Sequence, residues 1–163
     1  MTDTALYRES GLDFHLDPEL VFRPEELSGK GFQGVPACDF IWRREPGWLE
    51  IVEVKNTVPK NAYDLRHALN RLREQYLHGL LIWLAGAFGR HGSRTNLPEA
   101  LQGGEAAVLK ARFILIVAGL QARHLPEFQQ HLRKQLQSLT RSFAMEQPLV
   151  LGEDEARRRL PIS

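Results

Sequence analysis

Two apolar runs flank the turn signal REPGW: ACDFIWRR before it and WLEIVEVK after it. Both are rich in aromatic and β-branched residues, which predicts two strands, and Pro46-Gly47 between them predicts an antiparallel hairpin. From Ala62 the pattern changes period. Leu65, Leu69, Leu72, Tyr76 and Leu80 recur at three- and four-residue steps, and Trp83, Leu84, Ala87 and Phe88 continue the stripe. This predicts one long helix to about Gly89, in preference to a break at Gly79 followed by a strand LLIWLAG. Gly79 and Gly86 sit uncomfortably in such a helix. RHGSRTNLPEALQGG reads as a long polar loop, KARFILIVAG as a buried strand, and LPEFQQHLRKQLQSLTRSFA as an amphipathic helix presenting Leu125, Phe128, Leu132, Leu136 and Leu139. PLVLG predicts a short strand and EDEARRRL a final helical turn or two. Residues 1–34 are less periodic: LDFHL and ELVFRPEEL read as short strands or edges, interrupted by Pro18 and Pro24, before the glycine-rich loop SGKGFQGVP. The order β-β-α-β-α-β predicts an α/β fold, a single domain over residues 1–163 with a central mixed β-sheet flanked by helices.

Composition narrows the class without naming it. The chain has 163 residues, enough for one core, and 43% are apolar. The net charge of +1 excludes a strongly basic protein, so nucleic-acid binding would need a local patch. Cys38 is the single cysteine, so an internal disulfide is impossible and a cytoplasmic location is expected. The N-terminus MTDTALYRESG has no apolar signal region, and Leu77 to Phe88 is too short to span a membrane.

The chemistry concentrates in WLEIVEVK. Glu53 and Lys55 are charges in a strand whose Leu49, Ile51, Val52 and Val54 leave no solvent-facing side, where charge is costly. Strand alternation puts Leu49, Ile51, Glu53 and Lys55 on one face, with Glu53 and Lys55 about 6.5–7 Å apart. Asp39, on the preceding strand, is flanked in the same way by apolar residues. Two carboxylates and a lysine at the ends of adjoining strands suit a hard divalent ion, which takes one or two carboxylates and keeps several waters. Convergence carries a condition. A four-residue turn with Glu45 opposite Trp48 would put Asp39 and Glu53 on opposite faces, so the hairpin needs an odd-numbered loop, a bulge or a bend at Asp39.

Asp39, then Glu53-Val54-Lys55 after a hairpin, then a helix, resembles the PD-(D/E)xK nuclease superfamily, which includes type II restriction enzymes, junction resolvases and small phage-defence nucleases. More narrowly, GVPACDFIW and LEIVEVKNTVP resemble a group of uncharacterised bacterial proteins with the pattern G-V-K-x-x-[ED]-F-I followed by I-E-x-K-x-S-x-P. The similarity extends through the long helix, FILIV and LVLGEDEARRRL. It implies a restriction-endonuclease-like core and Mg²⁺- or Mn²⁺-dependent hydrolysis of phosphodiesters. Asp39 and Glu53 match the metal-binding carboxylates and Lys55 the catalytic lysine. Glu26, with Glu25 behind it, is the candidate for the further acidic residue of the metal site, and Gln75 for a polar helix residue beside it. Pro36 lies three residues before Asp39, where the family often has the proline adjacent.

Other signals are weaker. Gly29 to Gly34 spells G-x-G-x-x-G but precedes a strand rather than a helix, so it is not a dinucleotide fingerprint. The six histidines show no paired metal spacing, Ser28, Ser93 and Ser138 sit in no nucleophile elbow, and Cys38 reads as a core thiol. Arg43, Arg44, Lys60 and Arg66, with Arg71, Arg73, Arg90 and Arg94, could track a phosphate backbone; a solvated face balanced by Glu45, Asp64 and Glu74 is the bland alternative. The expected function is therefore a divalent-metal-dependent nuclease acting on nucleic acid, DNA first. A homodimer could form through Leu77 to Phe88. The rival is a catalytically inactive nucleic-acid- or protein-binding module of the same fold, serving a larger defence or repair assembly.

Overall fold

The protein is described by a computed structural model covering residues 4–26, 34–44, 46–90, 97–107 and 109–163. Glu45, Ser28, Ser93, Arg94 and the glycine-rich stretch 29–33 lie outside the described residues. In chain order the strands are β1 (Ala5–Glu9), β2 (Leu12–Leu16), β3 (Val21–Phe22), β4 (Phe40–Arg44), β5 (Trp48–Lys55), β6 (Lys110–Val117) and β7 (Leu149–Gly152). The helices are α1 (Ala62–Ala87), α2 (Gly103–Ala107), α3 (Leu125–Ser142) and α4 (Glu153–Arg159).

A five-stranded sheet runs β3-β4-β5-β6-β7, with β4 antiparallel to its neighbours and β5, β6 and β7 parallel. Strand β5 pairs with β6 along all eight of its residues and with β4 on the other side. This central place explains why the strand carries apolar residues on both of its sides: both faces are covered. On one face, Leu49, Ile51, Phe113 and Leu115 pack against α1 and α3. On the other, Phe40, Val52, Val54 and Ile114 pack under the β1–β2 hairpin and α4. The chain is thus one compact α/β domain with a mixed sheet, as its pattern predicts.

The long helix holds together because its glycine is needed. A Cβ at Gly79 would stand 2.3 Å from the Cys38 sulfur, so a bare backbone is what lets α1 lie directly on the segment entering β4. Cys38 N–H donates to Gln75 O (3.0 Å) at the same crossing, and Tyr76 Oη donates to Ile114 O (2.6 Å) through the core. Asn61 caps the helix by accepting from Asp64 N–H (2.8 Å). No helix among the described residues is long and apolar enough to cross a membrane.

Two expectations need correction. The stretch before β6 is not simply a polar loop. Its Leu97, Leu101 and Ala106 are buried, α2 forms within it, and Trp83 Nε1 donates to Leu101 O (3.0 Å). Its few apolar residues plug the end of the core, a role that a count of polar residues conceals. At the N-terminus, ALYRE, which looks merely polar, forms β1. Alternate residues, Ala5, Tyr7 and Glu9, turn inward, and ELVFRPEEL supplies only the two-residue β3.

Candidate active site

The condition on the hairpin is met by an odd-numbered connection. Arg44 pairs with Trp48 and Phe40 with Val52, leaving three residues, 45–47, between the strands. Gly47 adopts φ +76°, the left-handed conformation that closes three-residue hairpin loops. Continuing the register by one residue sets Asp39 beside Glu53, on the face shared by Ile41, Ile51 and α1. Asp39 N–H still donates to Val52 O (3.1 Å), but its Oδ2 takes the next ladder position, accepting from Val54 N–H (2.7 Å). The carboxylate is thereby fixed in the plane of the sheet.

Glu53 is 1% exposed. Its Oε1 is held by two donors, the Lys55 ammonium and Gln75 Nε2 (2.8 Å), which reaches down from α1. Its Oε2 is buried with no partner, and so is Gln75 Oε1. A buried oxygen without a donor is expensive unless something supplies positive charge. The electrostatics say the same. Burial pushes the Asp39 carboxyl up to about 8, with the Glu53 and then the Glu9 charge adding to it, against the pull of Val54 N–H and Lys55. Glu53 is likewise raised by burial, while Lys55 and Gln75 oppose the rise. Two carboxyls this close and this buried resist ionising together.

The third nearby carboxylate is Glu9, which sequence reasoning missed. It ends β1 at a two-residue hairpin whose Ser10 has φ +48°, and Ser10 Oγ donates to Val54 O (3.1 Å). The hairpin tip therefore walls the site on the hairpin side of the sheet. Glu9 is itself ion-paired to Arg23. The inward alternation of ALYRE was the only available signal. Glu26 is not brought to the site: residues 24–26 make a single 3₁₀ turn, Glu26 N–H donates to Arg23 O (3.1 Å), and its side chain is exposed.

Alternation sends Arg43 and Arg44 to opposite faces of β4; Arg43 Nη1 donates to Ala100 O (3.2 Å), and Arg44 pairs with Glu50. Lys60 and Arg66 are exposed, at the entrance to α1 and on its first turns. Cys38 is buried, and burial pushes its thiol well up, out of the range of a reactive thiolate.

The donors present fit a hard divalent cation. Unpartnered Glu53 Oε2 and Gln75 Oε1 are oxygens, and Asp39 lies alongside. Among the described residues no group of three or more His, Cys, Asp or Glu is placed to hold a metal ion. Mg²⁺ does not need one, since waters and substrate phosphate complete its shell. No family model, curated protein or solved structure matches the chain significantly.

Proposed function

We propose that the protein is a Mg²⁺- or Mn²⁺-dependent nuclease with a restriction-endonuclease-like core, hydrolysing phosphodiester bonds in nucleic acid, DNA first. The observation that carries this reading is the register that sets Asp39 beside Glu53 with Lys55 bonded to the same carboxylate. Asp39 and Glu53 would hold the ion, which when bound supplies Lewis-acid charge neutralisation and lowers the pKa of a water. Lys55, half-exposed at the strand end, is the group facing solvent. Its ammonium stabilises charge developing on the phosphate oxygens and holds Glu53 Oε1 in place. Gln75 fixes the other side of Glu53 Oε1 and leaves the buried Oε2 without a protein donor. Val54 N–H does the same for Asp39.

The test is incubation of DNA and RNA of several structures with Mg²⁺ or Mn²⁺, with Lys55→Ala alongside and Mn²⁺ calorimetry on Glu53→Ala. Metal-dependent cleavage lost in Lys55→Ala supports the reading. Intact substrate under every condition, with Mn²⁺ heat signals the same in wild type and Glu53→Ala, overturns it. The rival is a non-catalytic binding subunit of the same fold. Mn²⁺ binding at Glu53 without cleavage would establish that rival. Homodimerisation through Leu77 to Phe88, where Leu81 on α1 and Phe88 just past its end are exposed, belongs to the same proposal.

A further inference from the structure

One cavity lies just beyond the carboxylate pair and does not contain it. A cleft of about 600 Å³ opens at the carboxyl ends of β5 and β6, between the N-terminal ends of α1 and α3. Ligands of open α/β sheets bind in this position, beyond the carboxyl ends of parallel strands. Its floor is apolar: Val58, Leu65, Leu120 and Phe128. Its rim carries Lys60 and Arg123, both exposed, and His124, whose Nε2 accepts from Arg123 Nε (3.2 Å). The one carboxylate in the lining, Glu127, faces His131 Nε2 across 3.8 Å on the next turn of α3. An apolar floor below a cationic rim matches a ligand with a flat, weakly polar body and an anionic group. A nucleotide has that shape of chemistry.

The position ties the cleft to the candidate active site. It begins at Thr57, two residues past Lys55, a chain reach of at most ~7 Å. The loops that line it are stapled to each other directly behind the site: Ala118 N–H donates to Lys55 O (3.0 Å) and Gly119 N–H to Asn56 O (2.7 Å). Leu65 and Phe128 lie on the same side of the sheet as Glu53, Lys55 and Gln75. A base within the cleft and its phosphate at the rim would bring the adjoining phosphodiester toward Lys55.

We infer that this cleft is a nucleotide subsite that seats one unpaired nucleotide of a substrate strand beside the Asp39–Glu53 pair. The inference rests on the nuclease reading for its substrate and deepens it by naming that substrate as single-stranded or frayed nucleic acid. A base stacked inside a duplex cannot reach an apolar floor without leaving its partner. Binding through the rim should also weaken as salt rises.

The experiment measures fluorescence anisotropy of a labelled oligothymidylate of about ten nucleotides, in EDTA, against full-length protein. A blunt duplex serves as comparison and dTMP as competitor. The expected result is single-strand binding displaced by dTMP, stronger than duplex binding, and retained in Glu53→Gln. Joint Lys60→Glu and Arg123→Glu should weaken it roughly tenfold or more, through loss of phosphate contacts. Lys60→Gln with Arg123→Gln gives the same direction if the charge-reversed protein does not fold, checked by thermal melting. Absence of single-strand binding, failure of dTMP to compete, equal duplex binding, or unchanged affinity in the paired variants overturns the inference. The two readings fail separately. Cleavage with an unchanged KM in the paired variants sinks the cleft and leaves the nuclease. dTMP-competed binding with no cleavage in any metal sinks the nuclease and leaves the cleft.

Discussion

Strand β5 buries two glutamates three residues apart, and they live in opposite worlds. Glu50 is 0% exposed and Glu53 is 1% exposed. Glu50, on the hairpin side of the sheet, is paired at Oε1 with Arg44 (2.9 Å) and with Arg112 through Nε (3.0 Å) and Nη2 (2.5 Å), while its Oε2, like that of Glu53, is buried with no hydrogen-bond partner. Arg112 in turn lies over the Trp48 ring, 4.2 Å from its centre. Cations outnumber the carboxylate, so the charge is compensated by the protein alone. Glu53 has one lysine and one amide, and beside it stands the half-buried carboxyl of Asp39. There the carboxylates outnumber the cation, and what balances them is a proton or an added cation. The comparison teaches that burial of charge does not by itself mark a functional site. The sign of the local imbalance does: a surplus of carboxylate oxygen is a vacancy for positive charge.

Removing compensation from Glu50 should do the greatest damage. Arg112→Ala removes two donors from Glu50 Oε1 and uncovers Trp48, and should cost about 3–5 kcal/mol in chemical denaturation. Lys55→Ala, by contrast, should leave the midpoint nearly unchanged, because Asp39 and Glu53 can share a proton instead. Its expected loss is in metal-dependent cleavage, about 10²- to 10³-fold. Equal destabilisation by the two variants would mean that Glu53 belongs to a structural ion pair like Glu50, and the contrast would collapse.

Gly79→Ala tests the crossing that delivers Gln75. The added methyl meets the Cys38 sulfur, and a loss of about 1–3 kcal/mol is expected, partly restored by Cys38→Ala in the same chain. Gln75→Ala should leave folding alone and weaken Mn²⁺ binding about tenfold by calorimetry, since it frees one side of the ligand carboxylate.

The last test reads a slope. Asp39 in the folded protein is raised to about 8 and its unfolded value is about 3.9, so the folded state holds a proton that the unfolded state releases between them. That stabilisation is complete below about pH 4 and is lost as pH rises toward 8. Metal-free protein should therefore show a fall in stability over this window attributable to Asp39. Asp39→Asn should flatten the slope, and Mn²⁺ should stabilise wild type more at pH 8 than at pH 5. A wild-type slope unchanged in Asp39→Asn would show that the pair does not share charge.

Much of this was legible in the chain because it is local. The long helix, β6 and α3 announce themselves by period, and EVK at the end of a doubly apolar strand marks itself as unusual. What escaped was assembled from afar. Glu9 reaches Asp39 only because the β1–β2 hairpin folds over the sheet, and ALYRE has too few apolar residues to advertise a strand. Leu97 and Leu101 look like loop residues until Trp83 is beside them. The cleft is made by two loops more than fifty residues apart, joined by backbone bonds that no local pattern encodes.

The two glutamates divide the question cleanly. Alternation along WLEIVEVK determines, from the chain alone, that Glu53 and Lys55 share one face of the strand and that Glu50 takes the other. Side chains of a strand reverse direction at every residue, whatever the fold. Which face receives the arginines and which receives Asp39 was decided only in the tertiary structure. That choice depends on the strands beside β5 and on their registers: Glu50 against Arg112 in β6, and Asp39 beside Glu53 across a three-residue turn. One residue of slip in either register would exchange the faces, so long-range pairing, not local propensity, sets one carboxylate as structure and the other as the candidate for chemistry.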